Sequence, residues 1–204
     1  MKSLWTSLLT AVTFAVSASA DCSSLGSGAS DSFPGTFQIS AYDASTGTTT
    51  PLHLLVFMTV PETSFHVLST ASSPSIAWQG LAMSNGVIEA IPPEYYGAAG
   101  SIGAAYVNPE YPVPTAGPFP MWSNSFVQNE LYCAIPNADG TAALALNGYE
   151  SLFSLCTAYM SQTTPEAPVV LYNASASAYG DGYETYDGSS CKPITLLLEP
   201  QALS

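Results

Sequence analysis

The sequence predicts an all-β fold, a sandwich or barrel of about 8–10 short strands with one long Pro/Tyr-rich loop and disulfide support. Three observations predict it. Short apolar or alternating runs recur along the chain, separated by clusters of Gly, Pro, Ser and Asn. The chain is 47% hydrophobic, enough to fold, although its charged content of 8% is low against about 25% in ordinary domains. Its 4 cysteines all follow a leader-like N-terminus, and an even number in a secreted chain reads as a disulfide framework.

The first segment, MKSLWTSLLTAVTFAVSASA, has the layout of a secretory signal: Lys2, an apolar stretch from Leu4 to Val16, and small residues at Ala18-Ser19-Ala20. Its apolar run is short and broken by Ser and Thr, unlike a spanning helix of about 20 apolar residues. Residues 1–20 are therefore expected to be removed, leaving 21–204 as a single secreted β-domain with no membrane segment. Within it, Thr36 to Asp43 alternates Phe37, Ile39 and Ala41 on one face. STGTTTP turns the chain, and Leu52 to Val60 reads as a nearly continuous buried strand. Strands over Ser64 to Thr70, Ile76 to Met83 and Gly86 to Ile91 follow at short intervals. Pro92 to Trp122 is dense in Pro and Gly and repeats Pro-Glu-Tyr. Proline cannot donate into a ladder, so this stretch is expected to be loop, apart from a short strand at Ile102 to Val107. Later strands are expected over Phe126 to Ile135, Thr141 to Asn147, Pro168 to Ser175 and Pro193 to Glu199, with Tyr149 to Met160 mostly extended.

Several pairings of Cys22, Cys133, Cys156 and Cys191 are open. The favoured set is Cys156–Cys191, which would link neighbouring C-terminal strands, with Cys22–Cys133 tying down the mature N-terminus. No CxxC or Cys/His cluster suggests a metal site, and no cofactor is expected.

Beyond the leader, Lys192 is the only cationic side chain against 15 carboxylates, and arginine is absent. Nucleic-acid binding needs Lys and Arg to neutralise phosphates, and anionic lipid needs clustered bases; neither partner fits. Phosphoryl chemistry is disfavoured for the same reason. Neutral, cationic or apolar partners remain. Ion pairs can contribute little, and Lys192 is expected to pair locally with Asp181 or Asp187.

His53 and His66 are the only neutral-pH bases. Both fall in strand candidates without a Gly-x-Ser-x-Gly elbow, so they read as sheet histidines. Glycoside hydrolysis needs paired carboxylates, and Glu94, Glu110, Glu130 and Glu150 are available, but no spacing singles out a catalytic pair. The most suggestive patch runs from Ala178 to Cys191, where Tyr179, Tyr183 and Tyr186 interleave with Asp181, Glu184 and Asp187. Tyrosine rings stack on sugar C–H faces and carboxylates accept from hydroxyls, so the patch could bind neutral glycan; a solvated turn is the simpler reading. It lacks the Asp-x-Asp-x-Asp-Gly spacing of a calcium loop. Asn173-Ala174-Ser175 is a sequon for N-glycosylation.

The stretch DGTAALALNGYESLFSLC (Asp139 to Cys156), with VVLYN and SSCKPITLLLE after it, resembles secreted fungal domains related to conidial and phialide cell-wall proteins. It is also similar to the C-terminal β-domain of some fungal T2-type ribonucleases. There a strand, a Gly-containing turn and an aromatic run (Phe153 here) lead to a Cys, with a second Cys before the last strand; Cys156 and Cys191 match. The long Pro/Tyr loop, Cys22 and Cys133 depart from that pattern, and no ribonuclease active-site motif is present. The resemblance implies a secreted or wall-associated β-protein without catalytic residues, whose partners are wall polysaccharide or other wall components. A carbohydrate-binding module is one alternative. A small secreted hydrolase or isomerase drawing on His53, His66, Glu94 or Glu110 is another.

Overall fold

The computed structural model describes residues 21–60, 63–71, 80–91, 121–123, 130–159, 166–175 and 185–201. In sequence order the strands are β1 (Phe33–Asp43), β2 (Thr48–Pro51), β3 (His53–Val60), β4 (Thr63–Ser69), β5 (Gly80–Ser84), β6 (Val87–Ile91) and β7 (Met121–Ser123). They continue as β8 (Tyr132–Pro136), β9 (Ala142–Leu146), β10 (Phe153–Tyr159), β11 (Ala167–Tyr172), β12 (Thr185–Tyr186), β13 (Lys192–Pro193) and β14 (Thr195–Pro200). The leader and the expected strand at Ile102 to Val107 lie outside the described residues.

Two antiparallel sheets form. The first has the order β6-β5-β1-β14-β9-β8, with β2 also on β1. The second has the order β12-β10-β11-β4-β3, with β13 on β10 and β7 on β4. Their facing sides share one core: Phe37, Ile39, Leu81, Ile88, Leu144, Leu196 and Leu198 from the first sheet meet Leu54, Leu68, Phe153, Val170 and Tyr172 from the second. The expected alternation holds on β1, where Phe37, Ile39 and Ala41 all point into this core. Sheet two is buried on its other face as well, by Leu55, Val67, Cys156, Val169, Leu171 and Tyr186. That double burial explains why β3 and β11 read as continuous apolar runs rather than alternating ones.

Both disulfides form as expected, Cys22–Cys133 and Cys156–Cys191. The first spans 111 residues and holds a short 3-10 helix (Cys22–Leu25) over the outer face of sheet one, beside Ala145. In the loop-closure description a bridge of that length contributes about 4–5 kcal/mol. The same N-terminal segment shields the outer edge of β8, because Ser30 and Ala134 exchange backbone hydrogen bonds at 3.0 and 2.8 Å.

The backbone passes between sheets at two corners of like construction. At Pro51-Leu52 it leaves β2 and enters β3; at Pro193-Ile194 it leaves β13 and enters β14. In each, the proline ends the donor row, and the next residue's N–H makes a last bond to the neighbour of the strand being left, β1 at the first corner and β10 at the second. Leu52 donates to the Ile39 carbonyl at 2.9 Å, and Ile194 to the Phe153 carbonyl at 3.0 Å. Both aliphatic side chains then fall into the shared core.

Several boundaries differ from expectation for physical reasons. The expected strand from Pro193 to Glu199 is two pieces, because the Ile194 corner puts Lys192–Pro193 and Thr195–Pro200 in different sheets. In STGTTTP only the first part turns; Thr48–Pro51 pairs with β1 as an exposed strand, matching the β-propensity of threonine. β1 starts early, at Phe33, through an irregularity containing Gly35 at φ 72°. β8 begins at Tyr132, where the N–H groups of Leu131 and Tyr132 both donate to the Gly86 carbonyl. β11 ends at Tyr172, since Asn173 turns to φ 54°. Residues 76–79 and 126–129 of two expected strands lie outside the described residues, and Trp122 belongs to β7 rather than to loop.

The corner geometry makes a stability prediction. Ile194→Ala empties a core position and should lower unfolding free energy by about 2–5 kcal/mol, read from urea midpoints. A loss below about 1 kcal/mol would show that the corner side chain is not part of the close-packed core.

Candidate functional site

Among the described residues several carboxylates have hydroxyl partners instead of cations. Four Asp-x-Ser/Thr turns share one geometry, with Oδ1 accepting both the N–H and the hydroxyl of the residue two positions on. Asp21 holds Ser23 at 3.1 and 2.6 Å, and Asp43 holds Ser45 at 2.8 and 2.6 Å. Asp139 holds Thr141 at 3.0 and 2.7 Å, and Asp187 holds Ser189 at 2.9 and 2.7 Å. Such Asx turns offer the backbone a local closure wherever a strand or short helix starts or stops. Asp21 and Asp187 cap two 3-10 helices among the described residues, Cys22–Leu25 and Gly188–Ser190. Asp43 closes the β1–β2 hairpin, and Asp139 the turn before β9.

Each of the four carboxyls is held below the ordinary aspartate value, first by the hydroxyl and next by the backbone N–H it accepts. A fifth carboxylate has a hydroxyl partner across strands: the buried Ser40 hydroxyl donates to Glu199 Oε2 at 2.9 Å. The arrangement keeps negative charge fixed at the surface, among hydroxyls suited to hydrogen-bonding polyols. The repetition is visible in the sequence as DCS, DAS, DGT and DGS, yet it goes unread there because no single copy is distinctive.

The histidines are not brought together. On β3 and β4, Leu54 pairs with Leu68 on the inner face, and Leu55 with Val67 on the outer. Strand alternation therefore sends the exposed His53 outward and the buried His66 inward, on opposite faces of sheet two. Glu130 is half-buried just before β8, and Glu150 is exposed in the turn after β9. Glu94 and Glu110 lie outside the described residues, as do Tyr179, Asp181, Tyr183 and Glu184 of the tyrosine patch. Among the described residues no group of three or more His, Cys, Asp and Glu is placed to hold a metal ion. No helix there is long and apolar enough to cross a membrane.

The described end of the tyrosine patch is an anchor. Tyr186 is 1% exposed, and its hydroxyl both accepts from Ser175 N at 2.8 Å and donates to Ser175 O at 3.2 Å. Asp187 is engaged with Ser189, and Ser190 Oγ accepts from Thr157 N at 2.8 Å, tying the segment to β10. The expected Lys192–Asp187 pair does not form: among the described residues Lys192 is exposed on β13 without an ion pair. Asp187 meets its bonding need locally, two residues away. The sequon's Asn173 is half-buried at the end of β11, its N–H donating to the Leu152 carbonyl at 2.7 Å. The one large apolar side chain strongly exposed among the described residues is Tyr149, at 58%, which the sequence did not single out.

The four lowered aspartates fix a sign for pH dependence. Their folded values lie below the ordinary 3.8, so their stabilisation is fully present above that pH and is lost as pH falls through the folded values. Replacing Asp139 and Asp187 together with Asn should flatten the acid limb of a stability–pH curve below pH 3.8 and leave its slope above that unchanged. An unchanged acid limb would remove these turns from the account.

Comparison of the sequence and fold with protein-family models, curated proteins and solved structures finds no match.

Proposed function

We propose that this protein is a secreted, non-enzymatic component of the cell wall or extracellular matrix that works by structural association or binding. The observation that carries the reading is the pairing of all four cysteines in two intramolecular disulfides, one stapling each sheet. Such bonds persist in oxidising, extracellular compartments. The fungal wall-protein resemblance supports it further. Its matching residues run in sequence from β9 through the Asn147-Gly148 turn to β10 in the other sheet, where Cys156 is bonded to the Cys191 that precedes β13 and β14. Wall polysaccharide is the partner whose chemistry suits a surface of hydroxyls and fixed carboxylates, and Asn173 is the proposed N-glycan acceptor.

Fractionation of cells producing the protein tests this. Since every cysteine is already paired, the expected result is recovery in the wall fraction and release by denaturant without reductant, with a lower mass after N-glycosidase. Quantitative recovery from the medium would overturn the wall role, and an unchanged mass would remove the glycan.

A carbohydrate-binding module is the second reading, favoured by the exposed Tyr149 ring between Asn147 and Glu150 at the end of the β9 hairpin. Binding to insoluble chitin, glucan and mannan should then fall roughly tenfold, about 1.4 kcal/mol, in Tyr149→Ala. Equal retention of variant and parent would exclude Tyr149 as the platform.

A further inference from the structure

Two Asn-Gly turns of the same backbone shape occur in this fold. Asn85-Gly86 joins β5 to β6 with φ values of 51° and 72°, and Asn147-Gly148 follows β9 with 51° and 82°. Positive φ at both central residues is the type I′ hairpin geometry, for which Asn-Gly is the preferred pair. Asn-Gly is also the dipeptide most open to intramolecular attack on the Asn side chain, because glycine has no Cβ to hinder it. Local sequence and local conformation being alike, the surroundings decide which turn can react.

The first turn is held at its glycine: Gly86 is buried although Asn85 is exposed, whereas Asn147 and Gly148 are both half-buried. Gly86 N–H donates to the Asp31 carbonyl at 2.6 Å, and the Gly86 carbonyl accepts from both Leu131 and Tyr132 at 3.0 Å. Asn85 N–H donates to Ser32 Oγ at 3.3 Å. A Cβ at Gly86 would lie 3.0 Å from the Glu130 carbonyl carbon. Among the described residues the second turn is anchored at its base, by Asn147 N–H to the Leu131 carbonyl, by the reciprocal Leu146–Tyr149 bonds and by the Tyr172 hydroxyl on the Leu146 carbonyl. A Cβ at Gly148 would meet nothing within 4 Å, and the next residue, Tyr149, is 58% exposed.

We propose that Asn147 is a site of spontaneous covalent modification by succinimide formation, and that Asn85 is protected by the fold. In this step the Gly148 amide nitrogen loses its proton and attacks Asn147 Cγ. A new C–N bond closes the five-membered ring, the bond from Cγ to the amide nitrogen Nδ2 breaks, and ammonia leaves. Water then opens the imide at either carbonyl, giving an aspartyl or an isoaspartyl residue. Attack requires the turn's peptide plane to rotate and the glycine N–H to be free of an acceptor. At Gly86 that rotation must break the N–H bond to the Asp31 carbonyl, next to a Gly86 carbonyl that Leu131 and Tyr132 hold in place; no such bond is made by the Gly148 N–H among the described residues. The product adds a carboxylate beside Glu150. In the isoaspartyl form it also lengthens the backbone next to Leu146, whose carbonyl accepts from the buried Tyr172 hydroxyl at 2.9 Å.

Incubation of the full-length protein in warm, mildly alkaline buffer, followed by reduction and peptide mapping, tests the proposal. Aspartyl and isoaspartyl products should accumulate at residue 147 at least roughly tenfold faster than at residue 85, and the two rates should converge when the same protein is incubated in denaturant. Residue 85 keeping pace in the native protein would overturn the proposal. So would a rate difference that persists after unfolding, since it would then belong to the flanking sequence rather than the fold.

Discussion

Two main-chain hydrogen bonds, from Leu52 N–H to Ile39 and from Ile194 N–H to Phe153, govern how the rest of the molecule is arranged. A backbone that crosses from one sheet to the other must carry peptide groups through the apolar layer between them. Leaving such a donor unbonded costs about 1–3 kcal/mol. Each corner meets this constraint the same way: a proline, which has no N–H to satisfy, is followed by an aliphatic residue whose N–H bonds to the neighbour of the strand just left. The aliphatic side chain then fills the space between the sheets. Sequence around the corners is correspondingly alike, PLHLL at the first and PITLL at the second. With β3 and β14 fixed by these corners, the facing layers of Leu54 and Leu68 against Leu196 and Leu198 follow.

Where most proteins place ion pairs, the described carboxylate turns of this one use serine and threonine. A protein with net charge −13 and two basic side chains cannot neutralise its carboxylates by pairing. The recurring aspartate turns and the Ser40–Glu199 contact answer that shortage with neutral donors. Hydrogen bonds to a charged acceptor are the stronger kind, and in the turns the donors lie two residues away, so holding them costs little conformational entropy. The resulting surface depends less on ionic strength than a web of ion pairs would.

Much of the fold was legible because it rests on local pattern. Alternation through Phe37, Ile39 and Ala41 marked the inner face of β1, the apolar runs marked strands buried on both sides, and the cysteine pairing followed from where strands and the N-terminus had to be held. The sheet change at Ile194 was not legible, since an apolar corner continues the same run of leucines that a straight strand would. Thr48–Pro51 was missed because an exposed strand has no apolar face to show. The candidate site was less readable still. Tyr186 has polar neighbours in sequence but a buried ring, with its hydroxyl on the Ser175 backbone, whereas Tyr149, in a run read only as extended, is the ring left in solvent. Exposure of a tyrosine is decided by tertiary contacts that its neighbours in sequence do not encode.

The pairing of β1 with β14 carries a consequence for the order of events in biosynthesis. Phe37 to Tyr42 are matched with Pro200 to Thr195, far apart in sequence. A polypeptide emerging N-terminus first therefore exposes one edge of its central strand until residues 195–200 arrive. Contacts of such long sequence separation form slowly, and an open apolar edge invites pairing with other molecules in the interval. The Cys22–Cys133 bond needs only the first two-thirds of the sequence, so covalent closure can precede that last strand. The C-terminal segment then acts as a closing element: its late insertion between β1 and β9 converts a set of hairpins into a sheet with a continuous interior.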